Sequence, residues 1–195
     1  GLLAHEGWHQ YTQAVFADPL PIWLDEGIAA WFEGFRWDET RNVPVVLPWA
    51  NVERFDELRR VMESGGLMPL EEFCGTSPQQ LVSESEGSAL AWYAQAWVLV
   101  HWLREGEGGA MRGKLSDVLV SAQRGTLVEG VGRAGGDRAA SELRLRRTGS
   151  TVLTAMIGAD LREADVSLDR FARAVTRVGT RDVIVRGASP VGAGE

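Results

Sequence analysis

Apolar positions recur with helical spacing along most of the chain, and strand-like alternation is scarce. Leu3, Trp8, Val15 and Phe16 give a first helix over about Leu2–Phe16, with no N-cap residue in its first turn, that stops before Pro19 and Pro21. A second helix starts near Ile22, where Pro21 pre-sets the first turn. It runs through Leu24, Ile28, Ala29 and Phe32 toward Gly34. Val43–Pro48 is extended and bounded by prolines, fitting a loop or a short edge strand at most. Asn51 is placed to cap a third helix reaching about Ser64.

A Gly-, Pro- and Ser-punctuated connector spans Gly65–Ser85, and the longest apolar periodic segment, Gly87–Glu105, reads as the central core helix. Met111–Arg124 is a further amphipathic helix. Residues 125–149 are rich in Gly and Arg with little apolar periodicity and are expected to form a flexible insertion, with a short helix around Ala139–Arg146. Ser150–Ile157 and Ser167–Val178 read as helices packing back on the same domain, and residues 179–195 as a disordered tail. The expected organisation is a mainly α fold with a helical metal-binding domain over 1–124, the insertion, and two C-terminal helices over 150–178.

Composition narrows the function classes. The chain has 195 residues, 45% of them hydrophobic, enough for one globular core. A net charge of −7 argues against nucleic acid as a partner, because phosphate binding needs clustered cations. The Ala89–Leu103 stretch is too short and too polar to span a bilayer. The one cysteine, Cys74, excludes an internal disulfide and a thiolate zinc cluster. The first residues read as the inside of a helix, so a longer protein is expected.

The candidate chemistry lies in His5-Glu6-Gly7-Trp8-His9, a match to H-E-x-x-H. On a helix, spacing by four puts both imidazoles on one face, where two neutral nitrogens can bind one zinc ion. Glu6 sits about 100° round the helix, able to lean over the open coordination position as general base. A catalytic zinc takes a third protein ligand, and Glu26 in Trp23-Leu24-Asp25-Glu26-Gly27 follows His9 after sixteen residues that hold a break and a second helix start. Taken alone, Glu26 reads equally as a solvated helix carboxylate. Glu33 is the fallback ligand, and Asp25 a candidate for orienting a ligand imidazole.

HEGWH followed by PIWLDEGIAAWFE resembles the gluzincin metallopeptidases, closest to the bacterial peptidase-MA-like domains, in which a WLNEG-like segment brings the glutamate ligand. The spacing here is slightly shorter than in the aminopeptidase N branch, and Asp25 stands in place of the usual Asn. Tyr93-Ala94-Gln95-Ala96-Trp97 and the helix after it are similar to a downstream element of the same domains. The resemblance implies one Zn2+ per chain and hydrolysis of peptide bonds in a peptide or protein substrate by a metal-activated water. It also implies a cell-envelope or secreted setting and a helical C-terminal portion of a zincin fold whose upstream sheet is largely missing from the chain. In gluzincins a tyrosine or histidine on a later segment donates to the oxyanion, which makes Tyr93 the candidate here; it reads equally as a core residue with its hydroxyl at the rim. His101, two turns further on, reads as a packed core histidine, Trp8 as a wall of the site, and Arg144–Arg147 as a solvated helix face. Two alternatives carry weight beside the peptidase: a non-catalytic helical binding or scaffold module stapled by zinc, and a zinc-free helical domain with a chance motif. Glu6 discriminates against the scaffold, since a structural zinc needs no general base.

Overall fold

The computed structural model describes residues 1–83 and 85–192, apart from the side chain of Glu86. The fold is mainly helical: α1 (Leu2–Val15), α2 (Ile22–Phe32), α3 (Val52–Ser64), α4 (Leu70–Gly75), α5 (Pro78–Val82), α6 (Glu86–Glu105), α7 (Arg112–Arg124), α8 (Leu127–Arg146), α9 (Leu161–Val175) and α10 (Arg181–Val185), with a single antiparallel hairpin of β1 (Phe35–Asp38) and β2 (Val43–Val46) among the described residues. No helix there is long and apolar enough to cross a membrane.

Helix α6 is the axis, and α2, α3, α5, α7 and α9 all pack on it. Burial of Ala94, Trp97, Val98, Leu99 and Leu103 along its length explains why no polar face broke the apolar pattern. Ser85 caps it, its hydroxyl accepting from Ser88 N at 3.0 Å. Helix α2 lies against α6 with Trp23, Leu24, Ala29 and Ala30 fully buried, and Gly27 makes the approach possible: a Cβ there would meet the Ala96 carbonyl oxygen at 2.6 Å and Val100 Cγ2 at 2.7 Å. Helix α1 packs on α2 and reaches the core through it. Asn51 caps α3, its side-chain oxygen accepting from Arg54 N at 3.3 Å.

The extended Val43–Pro48 segment carries the short edge strand expected of it, Val43–Val46, paired with Phe35–Asp38. Several other local expectations need correction. The connector holds α4 and α5, helices too short to stand alone, fixed by burial of Leu70, Phe73, Cys74 and Leu81; its Glu84 lies outside the described residues. Residues 127–146, expected as part of an insertion, form α8, kinked at Gly136 (φ 79°) and anchored by buried Val128, Val131 and Leu143. Helix α9 begins at Leu161, earlier than expected, because Asp160 caps it by accepting from the Arg162 and Glu163 amides at 3.0 Å. The stretch expected as a tail carries α10, with Ile184 buried and Arg181 paired to Asp56 at 3.0 Å; residues 193–195 of that stretch lie outside the described residues.

Candidate metal centre

Helix α1 presents His5 and His9 one turn apart on a single face. The chain then reverses through Ala17–Pro21. That turn is pinned from outside: the amides of Ala17 and Asp18 donate to the Ala122 carbonyl at 3.1 and 2.9 Å, and the Asp18 carboxylate accepts from Val128 N at 2.9 Å. Helix α2 therefore returns antiparallel to α1 with Glu26 facing the histidine pair. His5 Nε2 and His9 Nε2 are 3.2 Å apart, and Glu26 Oε2 lies 3.3 Å from the first and 3.6 Å from the second.

The other ring nitrogen of each histidine meets a carboxylate. His5 Nδ1 is 2.8 Å from Glu33 Oε1, and His9 Nδ1 is 3.3 Å from Asp25 Oδ2. These contacts favour the tautomer with Nδ1 protonated and the Nε2 lone pair turned inward. Each carboxylate is held in turn. Glu33 accepts from Arg54 Nε at 3.1 Å and Nη2 at 3.0 Å and from Asn51 Nδ2 at 2.7 Å. Asp25, almost wholly buried, accepts from Trp8 Nε1 at 2.7 Å through one oxygen and from the Arg147 guanidinium through the other. Asp25 takes the orienting place expected of it. Glu33, the fallback ligand, instead orients the His5 ring from the side away from Glu26.

Electrostatics tie these contacts together. Burial pulls His5 down, yet the Glu26 and Glu33 carboxylates outweigh it and push its imidazole up to about 9. Burial pushes Glu33 up, and His5, Arg54 and Asn51 together bring it down to about 2. With each Nδ1 beside a carboxylate, His5 Nε2, His9 Nε2 and Glu26 Oε2 lie within 4.8 Å of one another, three electron-pair donors once His5 gives up its proton. Glu26 Oε2 is buried and receives no well-directed hydrogen bond, even from His5 Nε2. Such a cluster can hold a cation at its centre, and two imidazole nitrogens with one carboxylate oxygen are a donor set of catalytic zinc sites. The residues present fit that ion.

Glu6 is exposed and lines a cleft of about 450 Å³ together with His9, Thr12, Phe16, Glu26 and Arg147. Tyr93 stands half-buried on α6 with the Arg54 guanidinium 4.9 Å from its ring centre. Burial first and the Glu26 carboxylate second push its hydroxyl up to about 12, with Glu33 and Glu6 adding and Arg54 opposing. His101 is away from this cluster, fully buried, with its ring stacked on Trp49 at 3.6 Å and edge-on to Trp97 at 4.8 Å. Burial lowers its pKa, which keeps the ring neutral in the core. Trp8, expected as a wall of the site, is not among the residues lining the cleft; its indole holds Asp25 and its ring stacks on Phe32 at 5.6 Å. The Arg144–Arg147 run is not uniformly a solvated face, because Arg147 turns inward to Asp25.

A family model described as a protein of unknown function (DUF1570) matches residues 2–119. The chain belongs to that family. The DUF1570 match takes in both histidines, Glu6, Asp25, Glu26 and Glu33, together with Arg54 and Tyr93, and it ends before α8 and Arg147. Neither the curated proteins nor the solved structures contain a match to the chain.

Sequence reasoning missed Arg54 and Arg147. Arg54 lies three residues after a recognised cap, but nothing in the local pattern tells that its side chain reaches Glu33. Arg147 is 122 residues from Asp25, a separation that no motif spans.

Proposed function

We propose that this chain is a zinc-dependent peptidase of the gluzincin type, with His5, His9 and Glu26 as ligands and Glu6 as general base. The observation that carries the reading is the convergence of His5 Nε2, His9 Nε2 and Glu26 Oε2, with a carboxylate behind each imidazole. A zinc ion held by these three atoms supplies Lewis acidity, acidifying water and polarising a carbonyl at neutral pH.

Three protein ligands would leave a coordination position for water, whereas a purely structural zinc closes its shell with a fourth protein ligand. Glu6 lines the same cleft as His9 and Glu26. It takes a proton from the attacking water and returns it to the leaving amine, so one carboxylate serves both halves of the reaction. Tyr93 keeps its proton across the physiological range and serves as a hydrogen-bond donor to the developing oxyanion. The cleft, at about 450 Å³, has room for a few residues of a peptide.

The test is zinc analysis and peptide hydrolysis on the wild-type chain and on Glu6→Gln and His9→Ala. About one zinc per chain, lost in His9→Ala and kept in Glu6→Gln, together with hydrolysis lowered roughly 10²- to 10⁴-fold in Glu6→Gln, is the expected result. A wild type that takes up no zinc at neutral pH sinks the reading. Full hydrolysis by Glu6→Gln removes the general base from it.

A further inference from the structure

Two arginines stand behind the histidine pair, each acting through a carboxylate: Arg54 through Glu33 on His5, and Arg147 through Asp25 on His9. Arg54 belongs to the family-matched segment. Arg147 does not, and the chain goes out of its way to deliver it. Arg147 is the residue after α8, in the left-handed region at φ 57°, where a non-glycine residue is uncommon. From there it makes three contacts with the turn that launches the ligand helix. Its carbonyl accepts from Ile22 N, the first residue of α2, at 2.7 Å; its Nε donates to the Leu20 carbonyl at 2.9 Å; and its Nη2 donates to Asp25 Oδ2. It is also the only cationic side chain lining the cleft among the described residues.

We propose that Arg147 is a positioning residue of the metal centre, through which helix α8, beyond the family match, sets zinc affinity. The inference rests on the zinc reading of His5, His9 and Glu26.

The physical chain is short. Asp25 has two oxygens and two fixed donors, Trp8 Nε1 on Oδ1 and Arg147 on Oδ2. Holding both keeps Oδ2 3.3 Å from His9 Nδ1, where it braces the ring and the aim of its Nε2. Without Arg147 the Asp25 carboxylate is left almost fully buried with the indole N–H as its one fixed donor. It is then free to turn, and the His9 ring loses its brace. Arg54 cannot substitute, because it acts on the other histidine.

The experiment measures the affinity of the full chain for Zn2+ alone by competition with a chromophoric chelator, for wild type, Arg147→Ala, Asp25→Asn and the double variant. The melting temperature of each metal-free form is recorded alongside. Arg147→Ala is expected to weaken zinc binding roughly 10- to 100-fold in the wild-type background and to change it by no more than about twofold in the Asp25→Asn background, since the brace it acts through is already gone. Should the alanine variant fail to fold, Arg147→Lys, which keeps the charge but cannot span Leu20 and Asp25 together, is expected to bind zinc more weakly than wild type at a similar melting temperature. Wild-type affinity in the Arg147 variants overturns the proposal. An equal loss with and without Asp25→Asn overturns it too, because Arg147 would then support only the turn. A wild type that binds no zinc fails at the earlier step, the reading of the three ligands, and is told apart by needing no variant.

Discussion

Glu33 Oε1 lies 2.8 Å from His5 Nδ1, and in the metal-free chain each group shifts the titration of the other. The imidazole, held up to about 9 from 6.5, contributes stability that is fully present below pH 6.5 and is lost as pH rises through about 9. The carboxylate, held down to about 2 from 4.5, contributes stability that is present above pH 4.5 and is lost as pH falls toward about 2. The stability difference between wild type and Glu33→Gln, both stripped with chelator, should therefore be greatest between about pH 4.5 and 6.5 and close at both ends. Urea unfolding across that range measures it. A difference independent of pH would mean that the ion pair contributes nothing beyond packing.

Gly27, next to Glu26, gives a separate test of how the ligand helix is seated. A Cβ at this position falls 2.6 Å from a backbone oxygen of α6, which cannot swing aside as a side chain does. Gly27→Ala should push α2 away from α6 and destabilise the fold by about 1–3 kcal/mol. It should also move Glu26 relative to the histidines and so weaken zinc uptake. Denaturant unfolding and zinc titration read the two effects separately. Unchanged stability would show that α2 and α6 have more room than the close approach indicates.

Part of this was legible in the residues, and the division has a physical cause. The helices carrying His5, His9 and Glu26 announce themselves by period and by Pro21, and α3 by its Asn51 cap, because those signals are local. Helices α4 and α5 have too few residues for a period and exist because Phe73 and Leu81 are buried by the rest of the fold. Helix α8 carries four glycines, which masked the few apolar anchors that hold it. The proposed histidine ligands stand out in the sequence because H-E-x-x-H sets their spacing within one turn. The arginines behind them could not, because Arg54–Glu33 and Arg147–Asp25 are contacts between elements whose packing decides which side chains meet.

Tyr93 is where the two readings left open by the sequence part company. Its hydroxyl is raised to about 12 by burial and by the Glu26 carboxylate, so it keeps its proton and does not act as a base near neutrality. The Arg54 guanidinium over its ring fixes it from the side that also carries Glu33. As an oxyanion donor it is needed only where negative charge develops, so Tyr93→Phe should lower kcat roughly 10²- to 10³-fold with little change in KM. Zinc content should stay at the wild-type level, because the hydroxyl is not a ligand. A core residue with its hydroxyl at the rim predicts the opposite pattern: kcat intact, and at most a small loss of stability from a missing hydrogen bond, about 1 kcal/mol. Steady-state kinetics on the zinc-loaded variant, with unfolding measured in parallel, separates these outcomes, and an unchanged kcat would return Tyr93 to the core.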